Sequence, residues 1–310
     1  MSPLLLTAQA QQRRAALWML MGSLAFATMG VCVKYASAHF QAGELVFYRG
    51  LISALIMGAA LRAGRIDWRT QVPAAHAWRN VSGVVSLGAW YYAIAALPLA
   101  TAMTLNYMSS IWIGAFLIGG QLLLGLRLGQ PSAQQGPLML AVLASFAGVV
   151  MILRPTLEQN QLFAGLVGLM SGLVSAMAYL QVTTLGRLGE PAERTVFYFA
   201  LACTGCGALS MAVGGISVWD WQFGLWLLPM GALATLGQWC MTRAYSQGAT
   251  LLVANLQYSG IVFGALYSLL LFGDEIALIA WLGMAIITAS GILATILRER
   301  TVPGAPAQDS

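Results

Sequence analysis

Two asparagines, Asn106 and Asn255, each lie inside a long apolar run, and each is followed four residues later by a serine, Ser110 and Ser259. Aromatic residues accompany them: Trp90, Tyr91, Tyr92 and Tyr107 in the first half of the chain, Trp239 and Tyr258 in the second. Amides and hydroxyls in an apolar setting are costly unless hydrogen-bonded. A few such groups among rings are the usual make-up of a small-molecule site. The same residues can equally be glue between helices, at about 0.6 kcal/mol per interhelical hydrogen bond, and the sequence leaves these roles open. Trp90 and Trp239 are open in the same way between cavity wall and core packing.

Helical spacing gathers these side chains. Met103, Asn106, Tyr107 and Ser110 share one face, as do Leu251, Asn255, Tyr258 and Ser259. Ser171, Ser175 and Tyr179 recur at every fourth position; Ser82, Ser86 and Trp90 do likewise, and Gly231, Thr235, Gln238, Trp239 and Thr242 fall close together. The candidate substrate-binding set is therefore Trp90, Tyr91, Asn106, Tyr107, Ser110, Tyr179, Gln238, Trp239, Asn255, Tyr258 and Ser259. Tyr91, Tyr92 and Tyr107 are expected to choose the substrate. Lys34 and Arg49 lie about one turn inside apolar runs, where a long side chain can snorkel to the surface. The functional reading makes them an outer-mouth charge that draws in a carboxylate, with Glu44 as a partner for Arg49.

Catalytic groupings do not emerge. No Asp or Glu falls in the middle of an apolar run, and His39 and His76 lie at the edges. A metal-dependent or nucleophilic membrane enzyme needs such groups beside its Ser and Thr residues, so a membrane-embedded transferase is the weaker alternative, and no metal or cofactor is expected. Proton-driven carriers commonly use an intramembrane carboxylate, so facilitated or gradient-driven transport is expected. Cys203-Thr-Gly-Cys206 has redox spacing, but it sits mid-helix without further ligands and reads as packing. No nucleotide-binding loop is present, and a channel would show filter motifs or charged rings.

The elements that must position these residues follow from composition. The 310 residues are 59% hydrophobic and 8% charged, with mean hydropathy +0.77, against about 25% charged in soluble domains. The net charge of +5 is scattered over loops, which excludes a nucleic-acid stripe. Apolar runs of about 20 residues, the length that crosses a bilayer, predict ten spans. They are Ala15–Tyr35, Glu44–Leu61, Ala77–Leu97, Ala100–Leu124, Gly136–Leu153, Phe163–Gly186, Thr195–Val213, Phe223–Ser246, Thr250–Phe272 and Ile276–Leu297. The basic residues, Arg79 among them, gather on the N-terminal side, with Lys34 and Arg154 opposite and Arg49 just inside the second span. By the positive-inside rule both termini are cytoplasmic, in a bacterial inner membrane.

The halves are similar. At an offset of 149, Trp90, Asn106 and Ser110 meet Trp239, Asn255 and Ser259; at 150, Val46-Phe47-Tyr48 meets Val196-Phe197-Tyr198. Each half holds five spans, and because five is odd the second begins on the opposite side. The expectation is an all-α integral membrane protein of ten transmembrane helices, built as two inverted five-helix repeats around a central cavity. The first repeat is residues 15–154 and the second 163–298, with a linker at 155–162 and cytoplasmic segments at 1–14 and 299–310.

This pattern resembles the drug/metabolite transporter superfamily, EamA-type, from about Ala15 to Arg298. Leu270-Leu-Phe-Gly-Asp-Glu275 is similar to that family's leucine-rich run closing in Gly-Glu, whereas Leu124-Gly125-Leu126 lacks the acid. Trp90-Tyr91-Tyr92 and Asn106-Tyr107 resemble most closely its bacterial aromatic amino acid exporters. The resemblance implies export of aromatic or other bulky apolar amino acids, and of flat cationic drugs, by alternating access. The alternative is another small metabolite of the same superfamily. The partners implied are a small molecule and the lipid bilayer, with no nucleotide and no nucleic acid, in a monomer or weak oligomer.

Overall fold

The structure, a computed structural model, describes residues 3–127, 144, 147–148, 150–151, 161–248 and 250–301. Among these, every regular element is a helix: α1 (Pro3–Ala36), α2 (Ala42–Ala63), α3 (Pro73–Ala96), α4 (Leu99–Tyr107), α5 (Ser109–Arg127), α6 (Leu162–Arg187), α7 (Ala192–Gly214), α8 (Trp221–Gly224), α9 (Leu227–Gln247), α10 (Thr250–Leu256), α11 (Ser259–Leu271) and α12 (Leu278–Thr301). The expected fifth span, Gly136–Leu153, falls mostly outside the described residues. Among the described residues, five stretches are long and apolar enough to cross a membrane: Gln11–Ala36, Ala42–Ala63, Leu162–Arg187, Ala192–Gly214 and Leu252–Leu271.

The burial pattern is the reverse of a soluble protein's. Leu55, Leu209 and Val213 are 67%, 67% and 84% exposed, whereas Arg49, Ser53 and Thr235 are buried. Lipid accepts the apolar exterior, and the polar side chains find partners inside. Ser53 Oγ and Thr235 Oγ1, for instance, lie 2.6 Å apart between α2 and α9.

Helix starts obey local chemistry. Pro73 stands in the first turn of α3, where its missing N–H costs nothing. In α2 the Glu44 carboxylate turns back to accept from the Gln41 N–H at 2.8 Å. The closest pairings join α1 to α9, α2 to α7 and α3 to α6, and α2 to α9 comes next.

Two expected spans are not continuous. The fourth, Ala100–Leu124, divides at Met108 into α4 and α5, and the ninth, Thr250–Phe272, divides at Gln257-Tyr258 into α10 and α11. Periodicity could not show this, because the apolar pattern runs through both breaks. Close packing accompanies the first break: Gly172 of α6 lies against it, where a Cβ would lie 2.5 Å from the Leu105 carbonyl oxygen and 3.0 Å from that of Asn106. Helix α1 also starts ahead of its expected span, at Pro3, with Gln11 Nε2 donating to the Gln247 carbonyl at 3.1 Å. The eighth span, Phe223–Ser246, is interrupted after α8 and resumes as α9.

Polar and aromatic clusters close both ends of the bundle. At one end Glu190 accepts from Thr70 at 2.8 Å and pairs with Arg194 at 3.1 Å and His76 at 3.2 Å. Beside it, Glu193 binds Arg243 and the Trp239 indole N–H, both at 2.9 Å. At the other end Glu44 accepts from the backbone N–H and hydroxyl of Ser217, at 2.8 and 2.6 Å. There Tyr35 stacks on Trp226 at 4.7 Å, and Lys34 Nζ donates to the Leu97 carbonyl.

Two measurements test this account. Gly172→Ala is expected to destabilise the protein by about 1–3 kcal/mol through overpacking, seen as a lower melting temperature in detergent. Gly88→Ala, where a Cβ meets nothing within 4 Å, is expected to leave it unchanged or raise it. Burial pushes the Glu190 carboxyl up, but hydrogen bonds from Thr70, His76 and Arg194 outweigh it and hold its pKa below the ordinary value. Its contribution is therefore full above the ordinary carboxylate pKa and is lost as pH falls through the depressed one. Glu190→Gln should lower the melting temperature at pH 7, and the gap to wild type should narrow in acid.

Candidate substrate site

Helix α3 supplies one side of an internal cavity: Arg79, Gly83, Ser86, Leu87 and Trp90 form a single helical stripe along it. Arg49 enters from α2, Asn106 and Tyr107 from the last turn of α4, Ser175 and Tyr179 from α6, Phe199 from α7 and Gln238 from α9. The cavity volume is about 40 Å³, room for water and far less than a metabolite needs.

A hydrogen-bonded knot ties three of these helices together. Ser86 Oγ donates to the Ser171 carbonyl at 3.0 Å and meets Ser175 Oγ. Asn106 Nδ2 donates to Ser171 Oγ at 3.0 Å and to Ser175 Oγ at 3.2 Å. Asn106 thus lines the cavity and joins α4 to α6 at once, so its two candidate roles are not exclusive.

The cations differ from expectation. Arg79 belongs among the basic residues at the N-terminal side by position, yet it is 2% exposed and faces the cavity. Gly83, one turn on, leaves its guanidinium room, since a Cβ there would collide with Arg79 Nη1. The guanidinium rests over the Phe199 ring, 3.7 Å from its centroid. Arg49 approaches the same ring at 5.3 Å, and its Nη2 donates to Gln238 Oε1 at 3.4 Å. Arg49 is 3% exposed, so it does not snorkel to a mouth, and Glu44 is engaged with Ser217 and Gln41 instead of Arg49. Lys34 lies away from the cavity on the Leu97 carbonyl. The signal for Arg79 was an arginine followed four residues later by a glycine, but only the fold shows which way that space opens.

Of the candidate residues, Trp90, Asn106, Tyr107, Tyr179, Gln238 and Arg49 meet at the cavity. Tyr91 packs behind it, its hydroxyl 3.3 Å from Met29 Sδ. The break at Met108 takes Ser110 off the face of Asn106, and its hydroxyl donates to the Ala254 carbonyl at 2.6 Å. Ser259 caps its own turn on the Leu256 carbonyl at 2.7 Å, Tyr258 is buried beside the second break, and the Asn255 carbonyl accepts from the Tyr258 N–H at 3.0 Å. Trp239 belongs to the end cluster with Glu193, edge-on to Trp18. Tyr92 is exposed against Phe163. Gln257, not singled out by sequence, donates to the Tyr179 hydroxyl at 3.2 Å and accepts from Tyr245 at 3.3 Å, linking the second break to the cavity wall. A larger apolar groove of about 500 Å³ between α11 and α12 has only Thr288 as a polar lining residue, and its hydroxyl already serves the Met284 carbonyl. Its walls suit lipid.

No protein-family model matches the chain. It is 31% identical over 245 residues to the pseudopaline exporter CntI of Pseudomonas aeruginosa, covering 79% of this chain and 83% of that protein. It is 26% identical over 280 residues to a riboflavin transporter of Rhizobium johnstonii, with 89% of each chain covered. A protein of known crystal structure shares the fold, with a TM-score of 0.67 over 93% of this chain and 99% of its own at 18% identity. An all-helical, multi-pass membrane transporter with a small-molecule substrate, and not an enzyme, is the class these likenesses define. The chain belongs to the same transporter family as the pseudopaline exporter of P. aeruginosa.

Removing the amide from the knot tests its structural share. Asn106→Ala is expected to cost about 1–3 kcal/mol, because buried hydroxyls of Ser171 and Ser175 lose a donor, and the melting temperature should fall. Tyr92→Ala, outside the bundle, should change it little.

Proposed function

We propose that this protein is a secondary transporter that exports ring-bearing or other bulky apolar metabolites, aromatic amino acids among them, by alternating access across the bacterial inner membrane. The observation that carries this reading is the cavity, walled by Phe26, Trp90, Tyr107, Tyr179 and Phe199 and enclosed by helices of both halves. Aromatic walls suit a flat or bulky apolar body, and the polar groups between them suit a small number of orienting contacts.

Two inverted repeats fit the way the helices pair. Exchanging the halves turns α1 on α9 into α6 on α3, and α4 on α6 into α10 on α1, and all four pairings occur. The two helix breaks are related by the same exchange, Met108 answering to Gln257 at the offset of 149. Interrupted helices at equivalent places in two inverted halves are how secondary carriers build a midplane site. With both termini cytoplasmic, the Glu190 and Glu193 clusters form the inner closure, and the Glu44–Ser217 and Tyr35–Trp226 contacts the outer one. Small-molecule sites measure about 300–1,000 Å³, so a cavity of about 40 Å³ must widen when either closure opens. Flat cationic drugs fit poorly, because two guanidiniums already occupy this interior.

Counterflow in proteoliposomes tests the reading. Labelled tryptophan and phenylalanine, with riboflavin as the cargo class that a relative's name supplies, should exchange saturably against unlabelled substrate. Trp90→Ala should reduce the rate at least several-fold. A flux linear in concentration, without counterflow, would mean a channel and defeat the proposal.

A further inference from the structure

The cavity offers donors and almost no free acceptors. Arg49 Nε, Arg79 Nε and Nη1, Trp90 Nε1, Gln238 Nε2 and the Tyr107 hydroxyl are buried without a hydrogen-bond partner among the described residues. Each of these side chains is more than nine-tenths buried. Meanwhile the nearby acceptors are engaged: Gln238 Oε1 with Arg49, and the Ser171 and Ser175 hydroxyls with Asn106. No acid lines the cavity among the described residues. Two positive charges therefore share one cavity and one ring, with no acid among the described lining residues to neutralise them.

We propose that Arg49 and Arg79 form a clamp for a negatively charged group of the cargo, and that the site prefers net anions, ring-bearing carboxylates without an ammonium, over zwitterionic amino acids. The inference rests on reading this cavity as the transport site and narrows its cargo.

The physical reasons are two. A carboxylate supplies the acceptors that Arg49 Nε and Arg79 Nε and Nη1 lack, and it is a stronger acceptor for Arg49 than the Cys203 sulfur and Gln238 amide that now hold it; guanidinium–carboxylate pairs are short, strong and directional. An α-ammonium brings three more donors and a third positive charge into a space with no acid, and a buried cation without a partner is heavily penalised. The clamp is also asymmetric. At the offset of 150 the position of Arg49 answers to Phe199, so one half contributes a charge where the other contributes the ring beneath it.

The test uses the full-length chain in detergent and three probes with the same ring: 3-phenylpropionate, phenylalanine and phenethylamine. They carry a carboxylate, both charges, and an ammonium alone. Calorimetric titration of the wild type should give the tightest binding for phenylpropionate, at least about tenfold weaker binding for phenylalanine, and none for phenethylamine. Arg79→Gln and Arg49→Gln should each weaken phenylpropionate by about thirtyfold or more, as loss of one partner of a buried charge pair does. Arg79→Lys, keeping charge but losing the fork, should recover part of it. Equal affinity for the acid and the amino acid, the tightest binding for the amine, or no binding of the acid would overturn the clamp. The series on the wild type decides even where a variant fails to fold. Acid that binds as described yet shows no counterflow in liposomes would instead defeat the transport reading and leave the clamp standing.

Discussion

Two guanidinium groups sit in an apolar interior with no carboxylate beside them among the described residues, and the surrounding packing is arranged to tolerate this. A buried, unpaired charge is among the most costly things a fold can hold. Phe199 offsets part of the cost by presenting its ring face to both, a contact that reaches about 2 kcal/mol when desolvated. Gln238 accepts from one of them, and Gly83 keeps a lane clear for the other. The Ser86–Ser175–Asn106 knot holds α3, α4 and α6 in place beside them, so the guanidiniums are neither expelled to the surface nor crushed against a helix.

The breaks in the fourth and ninth spans follow from the same need for close, polar contact. An unbroken helix hides its carbonyls from neighbours. Interrupting it at Met108 bares the Leu105 and Asn106 carbonyls to Gly172, which alone can come so near because it lacks a Cβ. At the second break, Gln257 bridges Tyr179 and Tyr245, so a departure from regular helix is linked directly to the cavity wall. Movement of either short segment would be felt at the site without passing through a long lever.

The two ends are built from different chemistry. One is held by ion pairs around Glu190 and Glu193, reinforced by Trp18 and Trp239. The other relies on ring stacking and on Glu44, whose partners are neutral. Contacts of modest individual strength suit closures that have to part: a hydrogen bond exchanged for water contributes only about 0.5–1.5 kcal/mol, so opening either end exchanges these bonds for hydration at small net cost. That is the balance the proposed alternation between two open states requires.

Much of this was legible in the amino-acid order. Composition alone excluded a soluble domain, because apolar runs with few charges cannot face water, and apolar runs separated by short polar breaks marked most of the helices. Helical spacing correctly put Ser86 and Trp90 on one face, and Ser175 and Tyr179 on another. What sequence could not decide was direction across three dimensions. Arg79 stands among basic residues of the N-terminal side, and only the neighbouring glycine and a ring from α7 turn it inward. Trp239 and Trp90 match in sequence at the offset of 149, yet one meets Glu193 at an end and the other faces the cavity. Ser110 shares a helical face with Asn106 by spacing, but the helix breaks between them at Met108, beside Gly172 of α6. One-dimensional periodicity records which residues share a face, whereas tertiary packing alone sets what that face meets, where a helix yields, and which charges are left for a ligand to neutralise.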